Sequence, residues 1–223
     1  MATLLLATDT SGKHGSIALA RCALETCDVI EVVPLVGGTF SAQLVPQISA
    51  LLAKHRLSKG DLGGFAVASG PGSFTGLRVG LAAIKALAEV LQKPIAVVSL
   101  LEAVAVSGGL PGKVMAVLDA GRGEVYVGEC EVSGDSMHMV SERLLTRDEF
   151  QRAAHGRTVV TPDDCALEAA GLSVKAIEHP RSDVVARLGW RKIQAGETVS
   201  PEHLEANYIR RSDAEIFAKS SGS

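Results

Sequence analysis

The chain has 223 residues, of which 47% are hydrophobic and 21% charged, with a formal net charge of −3. That length fits one large domain or two small ones and buries roughly 70% of the unfolded chain's surface, enough for a core without staples. The composition excludes a disordered chain. The slight acidity argues against a stand-alone nucleic-acid binder, though not against a subunit whose partner supplies the basic surface.

Thr3 to Ala7 is a short apolar strand that runs into the Gly-rich polar turn Asp9-Thr10-Ser11-Gly12-Lys13-His14-Gly15. Ser16 to Ala20 alternates like a second strand, and Val29 to Val33 forms a third, closed by Pro34 and Gly37-Gly38. Ser41 is placed to cap a helix carrying Leu44, Ile48, Leu51 and Leu52 on one face, with Pro46 marking a kink or its true start. Gly64 to Ala68 is a buried strand. It leads through Ser69-Gly70-Pro71-Gly72-Ser73-Phe74-Thr75-Gly76 into a helix from Leu77 to Leu91. Leu77, Leu81, Ile84, Leu87 and Leu91 form that helix's apolar stripe. Gly76, Gly80 and Ala83 form an adjacent small-residue face, fit for close approach by another helix within the chain or from a partner.

Pro94 ends the helix, Ile95 to Val98 is a strand, and Ser99 caps a helix from Leu100 to Val106. Ser107-Gly108-Gly109-Leu110-Pro111-Gly112 is the clearest break, which sets domains of 1–106 and 107–223. Beyond it the opening pattern returns in outline. A strand, Val114 to Leu118, ends in Asp119, a glycine turn follows, and Glu124 to Glu131 is again strand-like. Thr146 to Ala154 reads as helix, Thr158 to Val160 as strand, and Pro162 to Ala170 and Asp183 to Gln194 as helices, with a frayed tail at 220–223. Two αβ halves, each opening on strand, Asp, turn and strand, suggest an actin-like architecture of two lobes.

The glycine stretch is a strand-to-helix turn of the kind that can hold an anion on backbone N–H groups. It misses the named phosphate motifs. Gly76 is followed by Leu77-Arg78 instead of Lys-Ser/Thr, and Thr75 stands where a dinucleotide fingerprint needs its third glycine. Ser69 lacks the flanking glycines of a hydrolase elbow, since Val67 and Pro71 occupy those places. A plain tight turn and an anion or nucleotide contact through Asp9, Gly70, Gly72 and Ser73 both stay open. Asp9 and Asp119 could orient water or magnesium at a phosphate, or could simply close Asx turns. The six histidines are scattered without ligand spacing, so no metal site is expected. Cys22, Cys27, Cys130 and Cys165 form no CxxC, which reads as unpaired thiols in a reduced cytosol. The N-terminus lacks a signal-peptide pattern and no run is long enough to span a membrane, so a soluble cytoplasmic protein is expected. Lys54, His55, Arg56 and Lys59 read as a solvated helix end.

Asp9-Thr10-Ser11, the run from Gly70 to Gly80, Leu118-Asp119-Ala120 with Gly123-Glu124-Val125-Tyr126, and the terminal Asn207-Tyr208-Ile209-Arg210 together resemble the bacterial TsaB (YeaZ-like) family. The resemblance covers nearly the whole chain in order and is looser between about 130 and 200. It implies an α/β fold of the actin-like (ASKHA, ribonuclease H-like) type, with mixed sheets flanked by helices. It also implies a non-catalytic subunit for threonylcarbamoyl transfer to the tRNA adenosine beside the anticodon. Such a subunit binds the catalytic subunit TsaD, is joined by the ATPase TsaE, and reaches tRNA through the complex. No tightly bound cofactor is implied, with ATP or ADP at most at the shared interface. The family's dimer surface would fall on segments around 41–56 and 76–91, which makes Leu44, Ile48, Gly76, Arg78, Gly80 and Ala83 the candidate interface for TsaD, or for a homodimer when the partner is absent. Phe40 and Leu44 stand where the catalytic relative carries its histidine pair, and Arg122 is displaced by one residue from the family's Asp-Ala-Arg. A small actin-like phosphotransferase or peptidase-like hydrolase acting alone is the competing reading.

Overall fold

The computed structural model describes residues 2–133, 136–164 and 171–210. Most of the helix expected over Pro162 to Ala170, together with Cys165, Arg211 and the tail, lies outside them. The described chain forms two compact units. Of the described residues, those up to 103 and 178–206 make the first, and those within 104–177 and 207–210 the second. The boundary expected after residue 106 thus falls within a helix, and the chain returns to the first unit near its end.

The first sheet contains β1 (Thr3–Asp9), β2 (His14–Ala23), β3 (Thr26–Val36), β4 (Leu62–Gly70) and β5 (Ile95–Ser99), in the order β3-β2-β1-β4-β5. β1, β2 and β3 pair antiparallel, whereas β4 and β5 run parallel to β1 and β4. Pro34 does not close the third strand as expected. It lies within β3, an edge strand, where a missing N–H costs no ladder bond.

Register gives this sheet two unlike faces. Leu6 stands opposite Leu19 and Phe65, and Phe65 opposite Ile95, so one face carries large side chains. Ala7 stands opposite Ala18 and Ala66, and Ala66 opposite Ala96, so the other face is built mainly of alanine, with Leu5 opposite Ala20 on the same side. Strand side chains alternate between faces, so this division follows directly from the Leu/Ala alternation in sequence. The large-residue face packs with α1 (Phe40–Lys54) and α2 (Phe74–Leu91), whose Leu44, Ile48, Leu51, Leu77, Leu81 and Ile84 join it in one core.

The alanine face is covered by α5 (Ser182–Gln194). Gly189 lies so close to it that a Cβ there would sit 2.3 Å from the Ala66 Cβ. Small residues on both sides let a helix approach the strands closely. Trp190 of α5 donates its indole N–H to the Leu24 carbonyl on the β2–β3 turn at 2.8 Å, and Lys192 pairs with Glu102.

Helix boundaries follow local chemistry. Ser73 caps α2 by accepting from Gly76 N at 3.3 Å, so that helix starts three residues before the expected Leu77. α1 begins at Phe40, not at a Ser41 cap, and Pro46 sits inside it. Ser99 caps α3 (Leu100–Ser107), as the sequence suggests: its hydroxyl accepts from Leu101 N at 3.2 Å, and its own N–H donates to Glu102 Oε2 at 3.1 Å. Lys54 and His55, expected as a solvated helix end, instead pair with Glu31 of β3 at 2.7 and 2.8 Å. These partners hold the Glu31 carboxyl below its usual range.

The second sheet is made of β6 (Gly112–Gly121), β7 (Glu124–Ser133), β8 (Ser136–Thr146), β9 (Thr158–Thr161) and β10 (Ser173–Ala176), in the order β10-β9-β6-β7-β8. Written from the other edge, this is the topology of the first sheet, with the same antiparallel and parallel pairings. The faint internal repeat in the sequence is therefore a true repeat of fold. α4 (Arg147–Ala154) carries a Thr146/Glu149 capping box and buries Phe150 and Ala154 against Met115, Val117 and Val127. β8 and β10 lie at the sheet's two edges and were not expected from the sequence.

Candidate functional site

The turn between β1 and β2 is where the chain concentrates buried polar groups. Asp9, Thr10, Ser11 and Ser16 are all nearly inaccessible, Asp9 at 4%. Ser11 donates to Asp9 Oδ1 from its backbone N at 2.8 Å and from its hydroxyl at 2.6 Å. In the second unit Gly121 N donates to Asp119 Oδ1 at 2.9 Å, so both aspartates close the same Asx turn at the end of equivalent strands. Their environments differ, because Asp119 is exposed. Burial pushes the Asp9 carboxyl above its usual range, opposed by the two Ser11 hydrogen bonds and by the charge of His179.

The glycine stretch is fitted to this turn. A Cβ on Gly72 would lie 2.3 Å from Ser11 O, one on Gly76 2.0 Å from Thr10 O, and one on Gly80 2.3 Å from Thr10 Oγ1. Ser73 N donates to Ser11 O at 2.7 Å, and Thr10 Oγ1 donates to Gly76 O at 2.7 Å. The three glycines therefore let α2 and its leading loop lie directly on the turn. Gly70 is buried at the end of β4, opposite Ser99. Asp9, Gly70, Gly72 and Ser73 are thus gathered around one turn, as the sequence suggests, but Ser73 N, Gly76 N and the Asp9 carboxylate already have partners within the chain.

A second polar contact flanks Asp9 on the α5 side. Ser182, at the start of α5, donates its hydroxyl to Ser16 O at 2.6 Å and its N–H to Ser16 Oγ at 2.9 Å. Sequence reasoning did not single out this pair. Ser16 was visible as the one hydroxyl in an apolar strand, but nothing local announces its partner 166 residues on.

Of the candidate interface residues, Leu44, Ile48, Gly76 and Gly80 are buried within the first unit, whereas Arg78 is exposed and Ala83 partly so. The buried four hold α1 and α2 in place and are not available to a partner. The outward surface of the two helices instead carries Ala42, Val45, Ala50 and Ala53 on α1, and Arg78, Ala82, Lys85, Ala86 and Val90 on α2. Val45 and Val90 are 57% and 72% exposed.

Positions 122–126 find their explanation in the second unit. Gly121, Arg122 and Gly123 all have positive φ, which places Arg122 at the tip of the β6–β7 turn. Arg210 donates to Ala120 O at 2.8 Å and to Gly121 O at 3.4 Å, pairs with Glu124, and lies over the Tyr126 ring. Asn207 reaches Glu142 of β8. The terminal Asn-Tyr-Ile-Arg segment is therefore a strap whose arginine reads the Gly-Glu-Val-Tyr turn.

Among the described residues no group of three His, Cys, Asp or Glu side chains could hold a metal ion, and no helix is long and apolar enough to cross a membrane.

Two duplicated mixed sheets with a buried Asp turn on the first define an α/β protein of the actin-like class. A family model described as TsaD, tRNA N6-adenosine threonylcarbamoyltransferase, matches residues 32–184. The chain is 30% identical to the Bacillus subtilis tRNA threonylcarbamoyladenosine biosynthesis protein TsaB, over 95% of this chain and 96% of that one. It is 26% identical to the Escherichia coli TsaB, over 94% and 96% of the two chains. The solved structure of YeaZ from Pseudomonas aeruginosa superposes with a TM-score of 0.77 at 25% identity, over 92% of this chain and 99% of that one. The chain belongs to the TsaB (YeaZ) family.

Proposed function

We propose that this chain takes part in tRNA threonylcarbamoyladenosine biosynthesis in the cytoplasm as a non-catalytic subunit. It docks on TsaD, with TsaE joining the assembly and tRNA held by the complex. The observation that carries the reading is the fate of positions 40 and 44. Where the catalytic relative has its histidine pair, Phe40 and Leu44 are 6% and 1% exposed and belong to the apolar core. A chain that has converted that position into packing supports transfer by binding, not by metal chemistry.

The TsaD contact is the outward surface of α1 and α2. Its exposed apolar positions include Ala42, Val45, Ala50 and Ala53 on α1 and Ala82, Ala86 and Val90 on α2, and its charged side chains are Lys54, Arg78, Lys85 and Glu89. Arg78 and Ala83 border it, while Leu44, Ile48, Gly76 and Gly80 shape it from beneath. Any ATP or ADP is held jointly with the partner, because Ser73 N, Gly76 N and Asp9 Oδ1 already have partners within the chain.

Reconstituted tRNA modification with TsaD, TsaE, ATP and the threonylcarbamoyl donor, with and without this chain, tests the role. Modification at an equal rate without it would sink the proposal. Val45→Asp with Val90→Asp should abolish co-elution with TsaD while leaving the melting temperature unchanged. Calorimetry of the chain alone with ATP and Mg²⁺ separates the competing reading, since tight binding with turnover would mark an independent enzyme.

A further inference from the structure

Cys22 and Cys27 face each other across the β2–β3 hairpin, as directly opposed residues of an antiparallel pair. Such pairs place Cα atoms about 4.5–5.5 Å apart, inside the range of about 4.4–6.8 Å that a disulfide spans. The two Sγ atoms are 3.0 Å apart, with the Cys22 thiol donating to Cys27 Sγ. Both are free thiols in this structure. Cys22 is wholly buried and Cys27 half-buried, so an oxidant in solution meets Cys27 first.

We propose that Cys22 and Cys27 are a redox-active pair that closes to an intramolecular disulfide when a low-molecular-weight disulfide such as glutathione disulfide reaches the hairpin. Cys27 is the attacking sulfur. It accepts the Cys22 hydrogen bond and lies near Arg187 and Arg191 of α5, and these hold its thiol below the usual range against the opposing effects of burial and Asp28. The shared proton conversely holds the Cys22 thiol above its range.

The Cys27 thiolate attacks one sulfur of glutathione disulfide, forming a mixed disulfide and expelling one glutathione thiolate. Cys22 then loses its proton to water and attacks Cys27 Sγ, and the second glutathione thiolate leaves. The two cysteines are oxidised by two electrons, and one glutathione disulfide becomes two glutathione thiols. Neither strand has to change register, because the partners are already opposed. The disulfide ties the hairpin beside Leu24, whose carbonyl receives Trp190 and Gln194 of α5.

The test uses the reduced full-length chain equilibrated with glutathione disulfide, then read by intact mass, thiol alkylation and peptide mapping. Both cysteines fall between Arg21 and Lys54, so trypsin leaves them on one peptide. The expected product has lost two hydrogens, carries no glutathione on that peptide, and has both cysteines closed to alkylation until reduced. Cys22→Ser should stop at a stable glutathione adduct on Cys27, and Cys27→Ser should leave Cys22 unmodified at the same oxidant concentration. Wild-type protein that keeps glutathione on Cys27, that leaves both thiols open while Cys130 or Cys165 oxidises, or that links Cys27 to another cysteine would overturn the proposal. Should Cys22→Ser fail to fold, the wild-type map and Cys27→Ser decide it alone.

Discussion

Gly76 and Gly80 lie one helical turn apart on α2 and abut the same residue, yet they should respond differently when Thr10 is changed. A Cβ on Gly80 would meet the Thr10 hydroxyl, a side-chain atom, whereas one on Gly76 would meet the Thr10 carbonyl, a backbone atom. Alanine in place of a helical glycine gains about 1 kcal/mol of propensity, and overpacking costs about 1–3 kcal/mol. Gly80→Ala should therefore cost wild type roughly 1–2 kcal/mol at most, taking the upper part of that overpacking range. Gly76→Ala takes the top of the range and also breaks the Thr10 Oγ1 to Gly76 O hydrogen bond, worth about 1 kcal/mol, for a net loss of about 3 kcal/mol. In a Thr10→Ala background the Gly80 clash disappears, because the next nearest atom, Thr10 Cβ, is an ordinary contact at 3.5 Å. Gly80→Ala should then become stabilising by about 1 kcal/mol, the propensity gain alone. Gly76→Ala stays destabilising by about 2 kcal/mol there, since the carbonyl remains. The double-mutant cycle is measured by urea unfolding followed through Trp190, the only tryptophan, which lies in the same unit. Equal coupling to Thr10 at both glycines would refute this account of the small-residue face.

Two further outcomes follow from the turn chemistry. The Asp9 carboxyl is held above its unfolded value by burial, so it contributes stability that is present below about pH 4 and lost as pH rises through its folded value. Asp9→Asn keeps an acceptor for both Ser11 bonds and lacks that dependence, so its melting temperature should gain on wild type between acid and neutral pH; a constant difference would contradict the assignment. Arg210→Ala removes the donor that holds the Ala120 and Gly121 carbonyls and the Glu124 carboxylate, at a cost of about 2 kcal/mol. Hydrogen exchange should show the loss of protection centred on the β6–β7 turn, and unchanged protection there would remove the strap from the account.

What could be read in the sequence was local. The Ile17-Ala18-Leu19-Ala20 alternation of β2, the apolar run of β4 and the 3.6-residue stripe of α2 are each written in consecutive residues, and the structure has those elements. The Asp-plus-glycine turns at 9 and 119 announced the repeat because each sits at a strand end. β8 was missed because its side chains alternate weakly and it is an edge strand carrying Val140 56% exposed. The signal was the Gly134-Asp135 dipeptide, since Ser133 pairs with Ser136 across those two residues. β10, Ser-Val-Lys-Ala, is too short and too polar to declare a period. The use of Gly76 and Gly80 was legible as close approach, but not toward what. A glycine states that something comes near, and only the folded chain says that the neighbour is Thr10. The same holds for Arg210, whose partners at 120, 121 and 124 lie some ninety residues upstream.

The return of α5 to the first sheet sets a schedule for synthesis. All five strands of that sheet and both helices on its large-residue face are complete once Ser99 has been made, but its alanine face has no cover until α5 is made. At about 5–20 residues per second, a nascent chain holds that face open for on the order of ten seconds while the whole second sheet is translated. Alanine is a sparing choice for such a surface. It exposes less apolar area than leucine during the wait, and it leaves room for Gly189 to close on Ala66 when the helix arrives. The first part of the chain to be made is therefore among the last to be finished.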